Sequence, residues 1–328
     1  MQSSQSSPAV GAASEGAAGS APQDACVQER IEIEADGHRL TATLYRPASE
    51  PKGALQIHTG IGIKRQFYGR FASYLASHGY AVLTFDVRGM GESRFGELPG
   101  YQASLSDWGR KDMPAALDWL ARRYPDVPKF IVAHSMGGYL TGLMPNHDLL
   151  SGLVLIFSPK SNVHVQSPMQ LLQGLFFFGV FMPLTILVFG YAPVHVLMPA
   201  TQDLPAGVAR EWIRWSFDRN WMAGYFAARS EEIFHAKIKA PILAFALEND
   251  WLARVENCEA LLHEYYTGAP TEFVTLRTGE AAPGLDHLRY FKREFADSHW
   301  SQVRAWLDRR VAQVRDGQGE PVPAQLTA

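Results

Sequence analysis

Cysteine is nearly absent. The 328-residue chain has two, Cys26 and Cys258, too few for a disulfide framework and not spaced as metal thiolates. Basic patches are missing too. The formal net charge is −3 and no lysine- or arginine-rich cluster occurs, which argues against a nucleic-acid partner. The opening residues, MQSSQSSPAVGAASEGAAGSAPQDA, have neither a basic n-region nor an apolar h-region. The expectation is therefore no secretory signal and a reducing, cytoplasmic setting. Charge itself disappears between Ser161 and Gln202, where no Asp, Glu, Lys or Arg is found. Within that gap, LLQGLFFFGVFMPLTILVFGYAPVHVLMP (171–199) rivals the roughly 20 apolar residues that cross a bilayer.

What is present reads as one globular domain with appendages. Hydrophobic residues make up 47 % of the chain, ample for a core. The Ser, Ala, Gly and Gln of residues 1–26 and the polar end at 316–328 cannot offset their ordering entropy, and both are expected to be disordered. VQERIEIEA and HRLTATLYRP alternate apolar and polar residues around Asp36-Gly37, predicting a hairpin. After it, unbroken apolar runs (GALQIHTG, YAVLTFD, PKFIVAH, SGLVLIFS, PILAFAL, TEFVTLR) alternate with segments of helical spacing. Such runs mark strands buried on both faces, so the fold expected is α/β, a mostly parallel sheet with helices on each side. Its parts would be a first core segment (27–159), an inserted cap (160–232) and a second core segment (233–315).

Ala133-His134-Ser135-Met136-Gly137-Gly138 follows a predicted strand and opens a predicted helix. That is the setting of a nucleophile elbow, a sharp turn that presents a strained serine. Residues two before and two after must be small, because strand and helix pass closely; Ala133 and Gly137 meet this requirement. The helix start leaves unpaired N–H groups at its positive end, so the N–H of Met136 would face an anion forming beside Ser135.

A serine nucleophile needs a base, and the base an orienting carboxylate. The chain order for this architecture is Ser, then acid, then His. His58, His78 and His134 precede Ser135 and are disfavoured. His287 lies in GEAAPGLDHLRYFKR, the loop after the last strand, at the sheet's carboxyl end where active sites gather. Glu248-Asn249-Asp250 follow the preceding strand, with Asp250 the first choice for the acid and Glu248 the reserve. Asp86 and Arg88 are expected to fix a loop rather than do chemistry.

Together these pieces resemble the α/β-hydrolase superfamily, in its serine aminopeptidase and monoacylglycerol-lipase-like branch. IHTGIGIKRQFYGRFASYLASHGYAVLTFDVRGMGES carries the resemblance, with Asp86, Arg88, Gly89, Gly91 and Ser93 matching an Asp-x-Arg-Gly-x-Gly-x-Ser run. Thr59-Gly60 stands where that branch has His-Gly. The resemblance implies a second oxyanion donor at the N–H of Ile61. RQFYGRFA, AHSMGG, MPLTILVFGYAP and DLPAGVAREWIRW are similar to a group of predicted bacterial hydrolases whose substrates are not established.

The function expected is a serine hydrolase of a lipophilic carboxylic ester, acting through an acyl-enzyme and needing neither metal nor cofactor. A peptidase or acyltransferase would use the same three residues. A non-catalytic lipid-binding protein on this fold is the alternative of another class. The segment 171–199 cannot be a simple anchor, since one crossing would separate Ser135 from Asp250 and His287. It is expected to be part of the cap, burying its apolar groups against the core and lining an acyl pocket. Trp212 and Trp215, at helical spacing in DLPAGVAREWIRWSFDRNWM, are candidate substrate contacts. Peripheral contact with a membrane surface is compatible with this expectation.

Overall fold

Asp36 and Gly37 both adopt left-handed backbone, φ 49° and 75°, as a two-residue hairpin turn requires. They join β1 (Val27–Ala35) to β2 (His38–Arg46). The computed structural model that contains this hairpin describes residues 26–161, 168–279 and 283–317. The tails expected to be disordered fall outside these residues, apart from Cys26, Asp316 and Gly317.

Among the described residues, eight strands form one sheet in the order β1-β2-β4-β3-β5-β6-β9-β10. The members beyond the hairpin are β3 (Gly53–His58), β4 (Tyr80–Phe85), β5 (Lys129–His134), β6 (Leu150–Ile156), β9 (Ile242–Leu247) and β10 (Thr271–Leu276). β1 and β2 pair antiparallel, as do β2 and β4; every other pairing is parallel. β3, β4, β5 and β9 are buried along their whole length, as their unbroken apolar runs require. β1, at the edge, carries exposed Glu and Arg side chains that discourage pairing with another chain.

Helices α1 (Gly69–Ser77), α2 (Leu105–Asp107), α3 (Met113–Arg123) and α4 (Met136–Thr141) connect the first strands. The wide turn Trp108–Asp112 links α2 to α3. After the sheet's crossing point, α9 (Val255–Glu264) and α10 (Ser301–Arg315) complete the layers. Asp86 and Arg88 fix the loop after β4. Asp86 accepts from the Arg65 guanidinium and from the N–H of Arg65 at 2.8 Å and of Glu92 at 3.1 Å. Arg88 pairs with buried Asp112 at 2.6 Å.

The segment expected to form the cap leaves the sheet after β6 and returns before β9. It contains α5 (Pro168–Phe176), a wide turn Phe177–Phe181 and α6 (Met182–Phe189), continuous as one 22-residue helix. Pro183 does not end this helix; the wide turn before it absorbs the missing hydrogen bond. Gly190, at φ 78°, closes it with an N–H to Ile186 O bond of 2.9 Å. A two-strand ribbon, β7 (Tyr191–Ala192) with β8 (Leu204–Pro205), leads to α7 (Ala206–Phe217) and α8 (Trp221–Ala227). The single polar-aromatic helix expected here is thus two, broken at 218–220, where Asp218 Oδ1 accepts the N–H of Asn220 at 2.8 Å.

The expectation that the apolar segment buries against the core is corrected by its outer face. The inner stripe is satisfied: Met182 and Ile186 are buried, and Phe177 and Phe178 pack edge-on against Trp212. The outer stripe (Met169, Leu172, Phe176, Val180, Leu184, Leu187) is exposed, and only 11 % of the most apolar 18-residue window is buried. A helix apolar all round, laid on one layer of protein, can cover only one of its faces.

Candidate active site

Ser135, Asp250 and His287 follow three parallel strands of the sheet, β5, β9 and β10, at whose carboxyl ends open α/β sheets gather their sites. Ser135 follows β5 with φ 51° and ψ −120°, a strained conformation for a residue with a Cβ. Its N–H donates to Ile156 O of β6 at 2.9 Å, and its carbonyl accepts from Gly138 at 3.0 Å, which pins the turn. The need for a small residue two positions on is steric. A Cβ on Gly137 would lie 2.7 Å from the carbonyl oxygen of His58. The ends of β3 and of the serine turn therefore touch, and the loop after β3 lies beside Ser135.

The structure brings His287 and Asp250 together. His287 Nδ1 lies 2.6 Å from Asp250 Oδ2, and both residues are buried. Asp250 Oδ1 accepts from the N–H groups of Leu252 at 2.8 Å and Ala253 at 3.1 Å, so the carboxylate is held by its own loop while the other oxygen serves the imidazole. Glu248, the reserve, points to solvent. Asp286 spends its carboxylate on the N–H groups of Leu288 and Arg289, at 2.8 and 2.7 Å. That cap shapes the loop carrying His287. The imidazole ring lies 4.8 Å from the ring of His134, the residue before Ser135. Among the described residues, no hydrogen bond joins Ser135 Oγ to His287 Nε2. Such contacts commonly tighten when substrate is bound.

The residues of the two candidate oxyanion donors, Ile61 and Met136, are both buried. Gly60 N–H is used, donating to Tyr68 Oη at 2.8 Å. Among the described residues, the N–H groups of Ile61 and Met136 find no acceptor. An unpaired amide at a helix start, as at Met136, is suited to negative charge developing on an oxygen.

Trp212 and Trp215 lie in the interior of the cap. Trp215 is fully buried among Tyr139 of α4, Tyr225 and Phe226, while Trp212 sits under Phe177 and Phe178. Among the described residues, neither indole N–H has an acceptor. Two participants escaped the sequence reading. Arg65 holds the Asp86 carboxylate, and Trp251, beside Asp250, exposes its indole while its carbonyl accepts from Gln170 Nε2 of the cap at 2.6 Å.

A mostly parallel sheet with a serine elbow after β5, a carboxylate after β9 and an imidazole after β10 is the α/β-hydrolase fold. Residues 49–276 match the family described as Serine aminopeptidase, S33, and the chain belongs to that family of hydrolases. Mouse monoglyceride lipase is 30 % identical over 128 residues, covering 38 % of this chain and 41 % of that protein. Protein phosphatase methylesterase 1 of Candida albicans is 28 % identical over 138 residues, covering 40 % and 35 %. The matched part thus spans about two-fifths of these relatives' lengths. Among solved structures, a soluble variant of monoglyceride lipase from Saccharomyces cerevisiae superposes with a TM-score of 0.62 at 15 % identity, over 87 % of this chain and 95 % of that one. A carboxyl esterase from Bacillus coagulans superposes at 0.58 and 16 % identity, over 87 % and 99 %. At such identities the likeness is one of fold.

Proposed function

We propose that the protein is a serine hydrolase of carboxylic esters with a lipophilic acyl group. The observation that carries this is the strained Ser135 at a helix start, in the same cluster as a His287 imidazole hydrogen-bonded to buried Asp250. Ser135 Oγ attacks the ester carbonyl and His287 takes its proton. Asp250 holds the imidazole by Nδ1 and stabilises its cation. The oxyanion is met by the N–H groups of Ile61 and Met136. His287 returns the proton to the leaving alcohol, then activates water to release the acid. The similarity to a monoglyceride lipase and a methylesterase supports ester over amide chemistry. Residues 27–159 and 233–315 form the catalytic core in this reading, and residues 160–232 its cap. Trp212 and Trp215 set acyl preference through the apolar faces of their rings.

The exposed apolar stripe of the cap favours a membrane surface as the source of substrate. It offers hydrocarbon and no charge, which suits burial in acyl chains better than a protein partner with a polar rim. Fluorophosphonate labelling and turnover of p-nitrophenyl esters test the chemistry. Both should vanish in Ser135→Ala, and undiminished labelling or turnover in that variant refutes the assignment. Flotation of the full chain with neutral phosphatidylcholine vesicles tests the surface. Binding that Leu184→Glu with Leu187→Glu does not weaken would remove the cap helix from it.

A further inference from the structure

His134 precedes the serine, so chain order rules it out as the base, yet it is wholly buried and hydrogen-bonded on both ring nitrogens. Nδ1 lies 2.8 Å from Tyr68 Oη, and Nε2 lies 3.0 Å from the carbonyl oxygen of His287. Tyr68 Oη in turn accepts from the Gly60 N–H at 2.8 Å. Phe291 closes the group, its ring 4.8 Å from that of Tyr68 and 4.9 Å from that of His134.

The protons in this chain have one consistent arrangement. A phenol carries a single hydrogen. Tyr68 stays protonated, because burial pushes its ionisation far above the ordinary range. Gly60 can only donate, so the phenolic hydrogen is free for His134, whose Nδ1 must then accept. The hydrogen of His134 is left on Nε2, where it donates to the His287 carbonyl, which can only accept. The other tautomer would bury a phenolic hydrogen with no acceptor and set a nitrogen lone pair against a carbonyl oxygen. The cation is disfavoured as well: burial first, then the nearby His287, holds His134 well below the usual histidine range. Three hydrogen bonds therefore run one way, from Gly60 through Tyr68 and His134 to His287.

Their two ends matter. Gly60 immediately precedes Ile61, whose N–H is the proposed second oxyanion donor. The carbonyl at the other end belongs to the proposed base. We infer that Tyr68 and His134 are positioning residues that lock the oxyanion loop and the base loop to each other, one on either side of the serine. Neither touches substrate. The loop has no room to drift toward the imidazole, since a Cβ on Gly60 would lie 3.0 Å from His134 Nδ1. Misplacing a preorganised donor weakens transition-state binding while leaving ground-state binding nearly intact.

This inference rests on the proposed triad, and the test separates the two. Tyr68→Phe keeps the ring against Phe291 and removes only Oη. Turnover is counted per fluorophosphonate-titrated serine, so loss of folded protein does not enter. We expect kcat per site to fall about 10- to 100-fold, with KM for a soluble ester changed by about threefold or less. Affinity for a trifluoromethyl ketone, which forms a tetrahedral adduct, should fall in parallel with kcat. His134→Gln keeps a donor near the Nε2 position and should retain more turnover than His134→Ala. Combining Tyr68→Phe with His134→Gln should cost little more than the worse single change, because both break one chain. Tyr290→Phe is the control; its buried hydroxyl has no partner among the described residues, and its loss should leave kcat unchanged. Nitrogen NMR of the unmodified protein gives a readout independent of any variant: the His134 tautomer must carry its proton on Nε2 at neutral pH. An Nδ1–H tautomer, full turnover per site in Tyr68→Phe, or losses that multiply in the double variant would each overturn the coupling. Absence of any titratable serine in the wild type would instead overturn the triad itself.

Discussion

β5 and the cap helix Pro168–Phe189 are both apolar and both free of acidic side chains, but they end in opposite environments. β5 is buried at every residue. In the cap helix only Met182 and Ile186 are buried. Strand β5 has a sheet neighbour on each edge and helices on each face, so its apolar run is fully used. The cap helix has α7 on one side only. Hydropathy states what should leave water; how many neighbours arrive to exclude it is decided by topology.

The sharpest way to test the core half of this contrast is at the acid. Asp250→Asn leaves the loop in place but supplies an amide where His287 Nδ1–H needs a carboxylate. kcat should fall by roughly 10⁴, while Glu248→Gln, on an exposed side chain two residues away, should stay within about twofold of wild type. Steady-state rates on a soluble ester decide it, and equal losses would reassign the acid.

That core was legible because each element is over-determined. The elbow demands small residues at 133 and 137, and the contact between Gly137 and the His58 carbonyl shows the reason. His287 and Asp250 were picked out by strand order, and they lie 2.6 Å apart. The coupling of His134 to Tyr68 was hidden, because chain order removes any histidine before the serine from consideration as a base. It says nothing of a second role that depends on a tyrosine 66 positions away. The cap was least legible. Its composition is uniform, so no periodic stripe declares which face is inner, and the break between α7 and α8 depends on one aspartate that could equally well sit on a helix surface.

Acid should separate the regions next. Burial pushes His58 down to about 3 and His235 down to about 4, and holds His134 well below 6.5. A depressed folded pKa means that the unfolded chain takes the proton first, so this stability is present above about pH 6.5 and is lost as pH falls toward the folded values. Asp112 acts in the opposite sense: burial, outweighing Arg88, raises it to about 6, and the folded state takes its proton first. The depressed histidines outnumber the raised Asp112, so stability should fall between pH 7 and pH 5. Urea unfolding at the two values measures it. All four groups lie outside Pro168–Phe189, which has no titratable side chain, so vesicle binding should not share that dependence while the fold persists. A pH-independent unfolding midpoint would contradict the neutral, buried state of these histidines.

Adjacent residues of one helix give a smaller and cleaner comparison. Ile186 is 5 % exposed against α7, and Leu187 is 82 % exposed on the outer face. Ile186→Ala should cost about 2–4 kcal/mol, from lost burial and the cavity left behind, while Leu187→Ala should lie within about 0.5 kcal/mol of wild type. Denaturant midpoints in the absence of lipid decide between them. Equal costs would mean that the outer face is covered in solution, by a second copy or by a different cap position, and sedimentation would identify which.

The smallest effect on rates is expected inside the cap, where packing and substrate contact share the same side chains. Trp215, with no exposed surface and three aromatic neighbours including Tyr139 of α4, ties the inserted segment to the core; its loss to alanine should act first on stability. Trp212, on α7, packs against Phe177 and Phe178 of the apolar helix, and in the proposed reading it borders the acyl chain beneath the cap. Trp212→Ala should shift the ratio of kcat/KM for long against short p-nitrophenyl esters by about three- to tenfold, the worth of one or two methylenes in an apolar pocket. The ratio is the informative quantity, since a partly unfolded variant loses activity toward every chain length alike. If both tryptophan variants lower all rates in the same proportion, the cap's interior is packing alone, and acyl preference must be set elsewhere around Ser135.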